Sequence, residues 1–170
     1  MSACAPVLVL AIGNPSRGDD ALGPELAARL EAAALPDVEV ITEFQLQVEN
    51  ALDLVGRERV IFVDAGAGTP APFELSRAEA ASGFLHTSHA LSPEAVLATY
   101  RRVTGSEPPE AWLLCVRGES FELGAGLSPA AVRHLEDAWR ALLLGLGISE
   151  TAEPQLPVVA SRASAAATIA

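Results

Sequence analysis

A handful of residues in this chain have the types and the spacing to do chemistry: Asp19, Asp20, Asp64, His86, His89 and His134. The two adjacent acids close the run Gly13-Asn14-Pro15-Ser16-Arg17-Gly18-Asp19-Asp20. Its glycines keep the G-x-x-x-x-G spacing of a phosphate-binding loop, but that loop continues with Lys and then Ser or Thr, which neutralise phosphate and hold magnesium. Two carboxylates at those places repel a phosphate and attract a cation. The dinucleotide pattern G-x-G-x-x-G is absent too. Both acids also stand at the start of a helical pattern, where carboxylates cap free N–H groups and complement the dipole. Asp19 is the better cap of the two. Asp64 follows an apolar run in Val63-Asp64-Ala65-Gly66-Ala67-Gly68, a position for a ligand or catalytic carboxylate, or for an Asx-turn that ends a strand. His86-Thr87-Ser88-His89 holds two of the three histidines. His134 sits among Arg133, Glu136 and Asp137 and is expected on the surface. If they converge, Asp20, Asp64 and His89 offer one imidazole nitrogen and carboxylate oxygens with a charge of −2, a donor set suited to zinc or nickel.

The elements that must bring these residues together can be read from apolar patterning. Val7–Ile12 and Val60–Val63 are continuous apolar runs, as expected of strands buried on both faces. Val38–Ile41 alternates with acids and suits a strand nearer an edge. Phe73–Leu75 is a short strand and Trp112–Val116 a further one. Leu22, Leu26, Leu30 and Ala33 recur at helical spacing, with Pro24 tolerable in a first turn. Val48–Val55 is a short helix. Ser92-Pro93-Glu94 and Ser128-Pro129 are helix starts, each with a Ser cap and a Pro in the first turn. Leu135, Ala138, Trp139, Leu142 and Leu146 form the last helix's apolar face. Strands alternating with helices predict an α/β three-layer sandwich: a mostly parallel, twisted sheet of about five strands with helices on both faces. In such sheets ligands bind beyond the carboxyl ends of the strands, where Asp20 and Asp64 fall.

Composition narrows the class further. The chain has 170 residues and a formal charge of −11, and its 11 basic residues are all Arg. That balance lacks the basic footprint that nucleic-acid binding needs. No apolar run reaches the ~18 residues of a membrane span, and the N-terminus lacks the basic region of a signal peptide. Cys4 and Cys115 cannot form a disulfide framework, and are expected to be small buried hydrophobes in a reducing cytoplasm. Residues 1–150 are expected to form one domain. Thr151–Ala170, rich in Ala, Ser, Pro and Thr, is expected to be a mostly disordered tail.

The order of these residues resembles the hydrogenase maturation proteases, endopeptidases that trim the C-terminal extension from the large-subunit precursor of [NiFe] hydrogenases. The resemblance runs from about Val7 to Leu144. Its most specific part is Val9-Leu10-Ala11-Ile12-Gly13-Asn14-Pro15-Ser16-Arg17-Gly18-Asp19-Asp20-Ala21-Leu22-Gly23-Pro24, joined by Phe62-Val63-Asp64-Ala65, Ser88-His89-Ala90-Leu91-Ser92 and Glu119-Ser120-Phe121-Glu122-Leu123-Gly124. Ala21 stands where many members have Gly, and Ala125 where some have Glu.

The resemblance implies an aspartic-type peptidase activity with metal contacts at Asp20, Asp64 and His89. The metal is nickel already seated in the substrate, with zinc or cadmium as a possible surrogate. Asp20 or Asp64 would serve as base for an activated water. The implied partner is the large-subunit precursor, met by a cytoplasmic monomer that binds neither nucleic acid nor membrane. His86 has no firm counterpart and is left as a contact to substrate or to a ligand. Two other classes fit the same residues: an assembly factor that docks a nickel-bearing partner without cutting it, and an α/β metallohydrolase of a small molecule.

Overall fold

The structure, a computed structural model, describes residues 4–82 and 91–148. The expected tail Thr151–Ala170 lies outside the described residues. Strands β1 (Val7–Ile12), β2 (Val38–Glu43), β3 (Arg59–Gly66), β4 (Phe73–Arg77) and β5 (Glu110–Arg117) form one sheet in the order β2-β1-β3-β5-β4. The β2–β1, β1–β3 and β3–β5 pairings are parallel, and only β4 runs antiparallel to its neighbour β5. Helices α1 (Leu22–Ala33), α2 (Asn50–Asp53), α3 (Pro93–Thr104) and α4 (Pro129–Gly145) complete the frame. This is the expected α/β sandwich.

Side chains alternate across a strand, so a strand buried on both sides feeds two cores. Val9, Ala11, Ile61, Val63, Leu114 and Val116 face one core, closed by Leu22, Leu26 and Leu30 of α1 and by Leu135, Ala138 and Leu142 of α4. Leu8, Leu10, Ile12, Val60 and Phe62 face the other, closed by Ala51 of α2, Leu54 and the α3 residues Val96 and Leu97. Each fully buried Leu or Phe contributes roughly 1.5–3 kcal/mol of transfer free energy.

The two Ser-Pro helix starts form as the pattern predicts. Ser92 Oγ accepts from the Ala95 N–H, and Ser128 Oγ from the Ala131 N–H, both at 3.2 Å. The edge strand β2 is only partly buried, in keeping with its acids. Two features differ from expectation. Strand β3 runs on past Asp64 to Gly66, because β5 keeps pairing with it as far as Gly66 with Arg117. Helix α1 has Ala21 at its cap position and no side-chain cap at all.

The chain reaches β2 from β1 through α1 on one face, and β3 from β2 through α2 on the other. The order therefore reverses around β1, and the carboxyl ends of β1 and β3 flank a topological switch point, where open α/β sheets place their ligands.

Candidate active site

The turn that leaves β1 folds tightly back on itself. Gly13 has φ +149°, and a Cβ there would overlap the Asp20 carbonyl oxygen, so only glycine fits. Every N–H of the turn is already engaged. Gly13 donates to Glu43 O, Arg17 to Asn14 O, Gly18 to Ala125 O, Asp19 to Ser120 O and Asp20 to Arg17 O. Ser16 N–H reaches Asn14 Oδ1 at 2.9 Å, and Asn14 N–H reaches Asp20 Oδ2 at 2.8 Å. A phosphate cradle needs such donors free to point at the ligand. Here they hold the turn together and one of them holds Asp20.

Asp64 lies on β3 one residue past the last β1 partner, since β1 pairing ends with Ala11 opposite Val63. It shares the parity of Val60 and Phe62, and so stands on the α2/α3 face of the sheet at the mouth of the crevice. Its Oδ1 accepts the Ala65 N–H at 2.8 Å. The bond does not end the strand, as an Asx-turn would. Burial pushes the Asp64 carboxyl up to about 6, against the Ala65 N–H, and the neighbouring Asp20 charge pushes it the same way. The fold thus brings Asp20 and Asp64 together, as the strand-end rule requires. Two half-buried carboxylates set side by side are a fit for a divalent cation, which would relieve their repulsion.

His86 and His89 lie outside the described residues. The described chain resumes at Leu91, whose N–H donates to Leu46 O at 3.1 Å just beyond β2. Among the described residues, no three His, Cys, Asp or Glu side chains meet in a metal-ligating group. Two of the three proposed contacts are therefore placed together.

Asp19 departs from its expected role. It caps nothing on α1. It is fully buried and faces the opposite way, into the loop after β5. Its Oδ2 accepts the N–H groups of Glu119 at 2.7 Å and Ser120 at 3.0 Å and the Ser128 hydroxyl at 2.7 Å, while Oδ1 accepts the Ser128 N–H at 2.7 Å. Burial alone would push this carboxyl up, but the bonds from Ser128, Glu119 and Ser120 outweigh it and hold the carboxyl below its usual range. The doubled acid and the Ser128 helix start are the traces of this clamp in the sequence. Neither names the other as partner.

His134 is half-buried rather than free on the surface, with Nδ1 2.9 Å from Arg117 O. Cys4 is exposed, against expectation, with Sγ 3.3 Å from Gly56 O. Cys115 is half-buried beside Thr69 Oγ1 at 3.0 Å. An apolar cavity lined by Ile61, Leu75, Trp112, Leu114 and Leu142, with Arg59 and Glu110 at its edge, opens at the amino ends of β3 and β5. It is at the other end of the sheet from Asp20 and Asp64.

No family model matches the chain, and no curated protein does. Solved structures do. The hydrogenase maturating endopeptidase HybD from E. coli is 27% identical with a TM-score of 0.67, over 85% of this chain and 93% of that one. The hydrogenase 2 maturation peptidase from a Thaumarchaeota archaeon is 26% identical with a TM-score of 0.62, over 84% of this chain and 99% of that one. The [NiFe] hydrogenase maturation protease HycI from Thermococcus kodakarensis, at 24% identity and a TM-score of 0.63 over 86% and 95% of the two chains, shares the fold.

Proposed function

We propose, from the premise that the chain belongs to the hydrogenase maturation proteases, that this peptidase removes the C-terminal extension of a [NiFe] hydrogenase large-subunit precursor once nickel is in place. It recognises that nickel through Asp20, Asp64 and His89. The observation that carries the reading is the carboxylate pair at the switch point, with Asp64 held near 6 by burial and by Asp20.

The nickel is part of the substrate, held by the precursor's own ligands. A crevice offering a few donors from separate loops binds a free ion modestly, yet completes the coordination of an ion held by another protein, which makes cleavage conditional on loading. Hydrolysis then needs a water, a base and help for the developing oxyanion. The water oxygen adds to the scissile carbonyl carbon. A carboxylate of the pair takes the water's proton and passes it to the leaving amide nitrogen as the C–N bond breaks. An Asp64 near 6 is mostly ionised at neutral pH, yet basic enough for that transfer. Asp20, Asp64 and His89 would hold the precursor's metal at the crevice, and a metal in reach of the scissile carbonyl would supply Lewis-acid stabilisation of its oxygen. The site of action is the cytoplasm and the working form a monomer. No helix among the described residues is long and apolar enough to cross a membrane.

The test is to mix purified protein with nickel-loaded precursor and follow intact mass. The expected result is loss of a C-terminal peptide with nickel and none without it. Asp20→Asn, Asp64→Asn and His89→Ala should each slow processing at least about 100-fold. A stable complex with no change in mass would overturn the peptidase reading, and undiminished cleavage in the three variants would overturn the site.

A further inference from the structure

The geometry assigns Asp19 the part of a positioning residue: by clamping the loop 118–128, it fixes the turn on which Asp20 is presented. The inference rests on the reading of Asp20 as a contact for the precursor's metal, and goes beyond it to a residue that touches neither metal nor substrate.

The lacing between turn and loop runs in both directions. Asp19 gathers three backbone N–H groups and one hydroxyl from residues 119, 120 and 128. In return Asp19 N–H donates to Ser120 O at 2.7 Å, Gly18 N–H to Ala125 O at 3.1 Å, and Gly124 N–H to Ser16 O at 2.7 Å. The two segments lie too close for side chains at their crossing points. A Cβ on Gly18 would lie 2.5 Å from Ser120 O, and one on Gly118 2.6 Å from the Phe121 ring and 3.0 Å from Asp19 Cβ. Asp20 is joined to Asp19 by a single peptide bond, and its carboxylate is held by the Asn14 N–H within the same turn. The position of that carboxylate therefore follows the turn, and the turn follows the clamp.

The arrangement requires a carboxylate. Donors approach both oxygens, three at Oδ2 and one at Oδ1. An amide in the same place has one oxygen, so its NH2 must confront at least one backbone N–H. Asp19→Asn keeps the shape and loosens the clamp. The loop leaves the carboxyl end of β5 and is bonded to the turn that leaves β1, so the element held by Asp19 borders the crevice.

The experiment compares full-length wild type, Asp19→Asn, Ser128→Ala and a control, Leu142→Ala, which destabilises the α4 core without touching turn or loop. All are measured at a temperature where circular dichroism shows them folded. Exchange of the Asn14 amide, whose N–H is held by the Asp20 carboxylate, should be at least about tenfold faster in Asp19→Asn, less affected in Ser128→Ala, and unchanged in the control. With nickel-loaded precursor, Asp19→Asn should lower kcat/KM at least about tenfold, while the control keeps it. Unchanged Asn14 exchange in both clamp variants, or an equal loss in the control, would overturn the inference. If wild type fails to process the precursor, the proposed function falls, while Asn14 exchange still decides whether Asp19 positions Asp20. Should Asp19→Asn not fold, Ser128→Ala alone carries the test.

Discussion

Asp19 and Asp64 are carboxylates at the same end of the same sheet, and the protein has treated them in opposite ways. Asp19 is wholly buried, yet its carboxyl stays below the usual range, because four donors converge on it. The Asp64 carboxyl rises to about 6, because burial pushes it up, a single N–H offsets only part of that, and the Asp20 charge adds to it. Burial acts upward in both; the supply of donors decides the outcome. A satisfied carboxylate is a structural tie. An under-supplied one, paired with another of the same sign, is a place where a cation lowers the energy.

The comparison is broken most directly at Asp19. Asp19→Ala leaves three buried N–H groups and a hydroxyl without their acceptor, and should cost about 4 kcal/mol in urea or thermal unfolding. A cost under about 1 kcal/mol would mean that water or a rearranged loop satisfies those donors, and that Asp19 is no tie. Next in size is Gly13→Ala. A methyl overlapping Asp20 O, at φ +149°, forces the turn open and should cost about 3 kcal/mol. It should also release Asp20 from Asn14, so the Asn14 amide should exchange faster than in wild type. Unchanged stability in Gly13→Ala would show that the turn is softer than its contacts indicate.

How far this contrast was legible follows from where each residue finds its partners. Strands such as Val7–Ile12 and Val60–Val63, and the Ser92 and Ser128 caps, are set by neighbours a few residues away, so apolar runs and Ser-Pro pairs reveal them. The meeting of Asp20 and Asp64 is long-range, yet a general rule of parallel sheets predicts it, since both follow strands that flank the switch point. Asp19 escaped because its partners are 100 to 109 residues away along the chain. By local pattern it is a helix cap, and no periodicity links it to Ser128. The run of β3 to Gly66 escaped for a similar reason, because it depends on β5 as a partner and not on the polarity of Asp64 itself.

The smallest effect expected is also the one that separates the two carboxylates by sign. A folded carboxyl raised to about 6 binds its proton where the unfolded chain, near 4, has already lost it. Asp64 therefore favours the fold fully below about pH 4, and that advantage is lost as pH rises toward 6. Asp19, held below its usual value, contributes in the opposite sense: its share is present above about pH 4 and disappears as the solution is made more acid. In Asp64→Asn the Asn side chain can still accept the Ala65 N–H, while the charge facing Asp20 is gone. The variant should lose the decline between pH 4 and 6, ending on the order of 1 to 2 kcal/mol more stable than wild type at pH 7. Urea titrations at pH 4, 5, 6 and 7 read this directly. A wild-type protein whose stability does not fall across that window more than the variant's would place Asp64 among the satisfied carboxylates and remove the distinction from Asp19. If the decline is present and disappears with Asp64→Asn, the cost of holding Asp64 ionised, from burial first and the Asp20 charge second, is stored in the free protein and available to favour a partner that brings a cation.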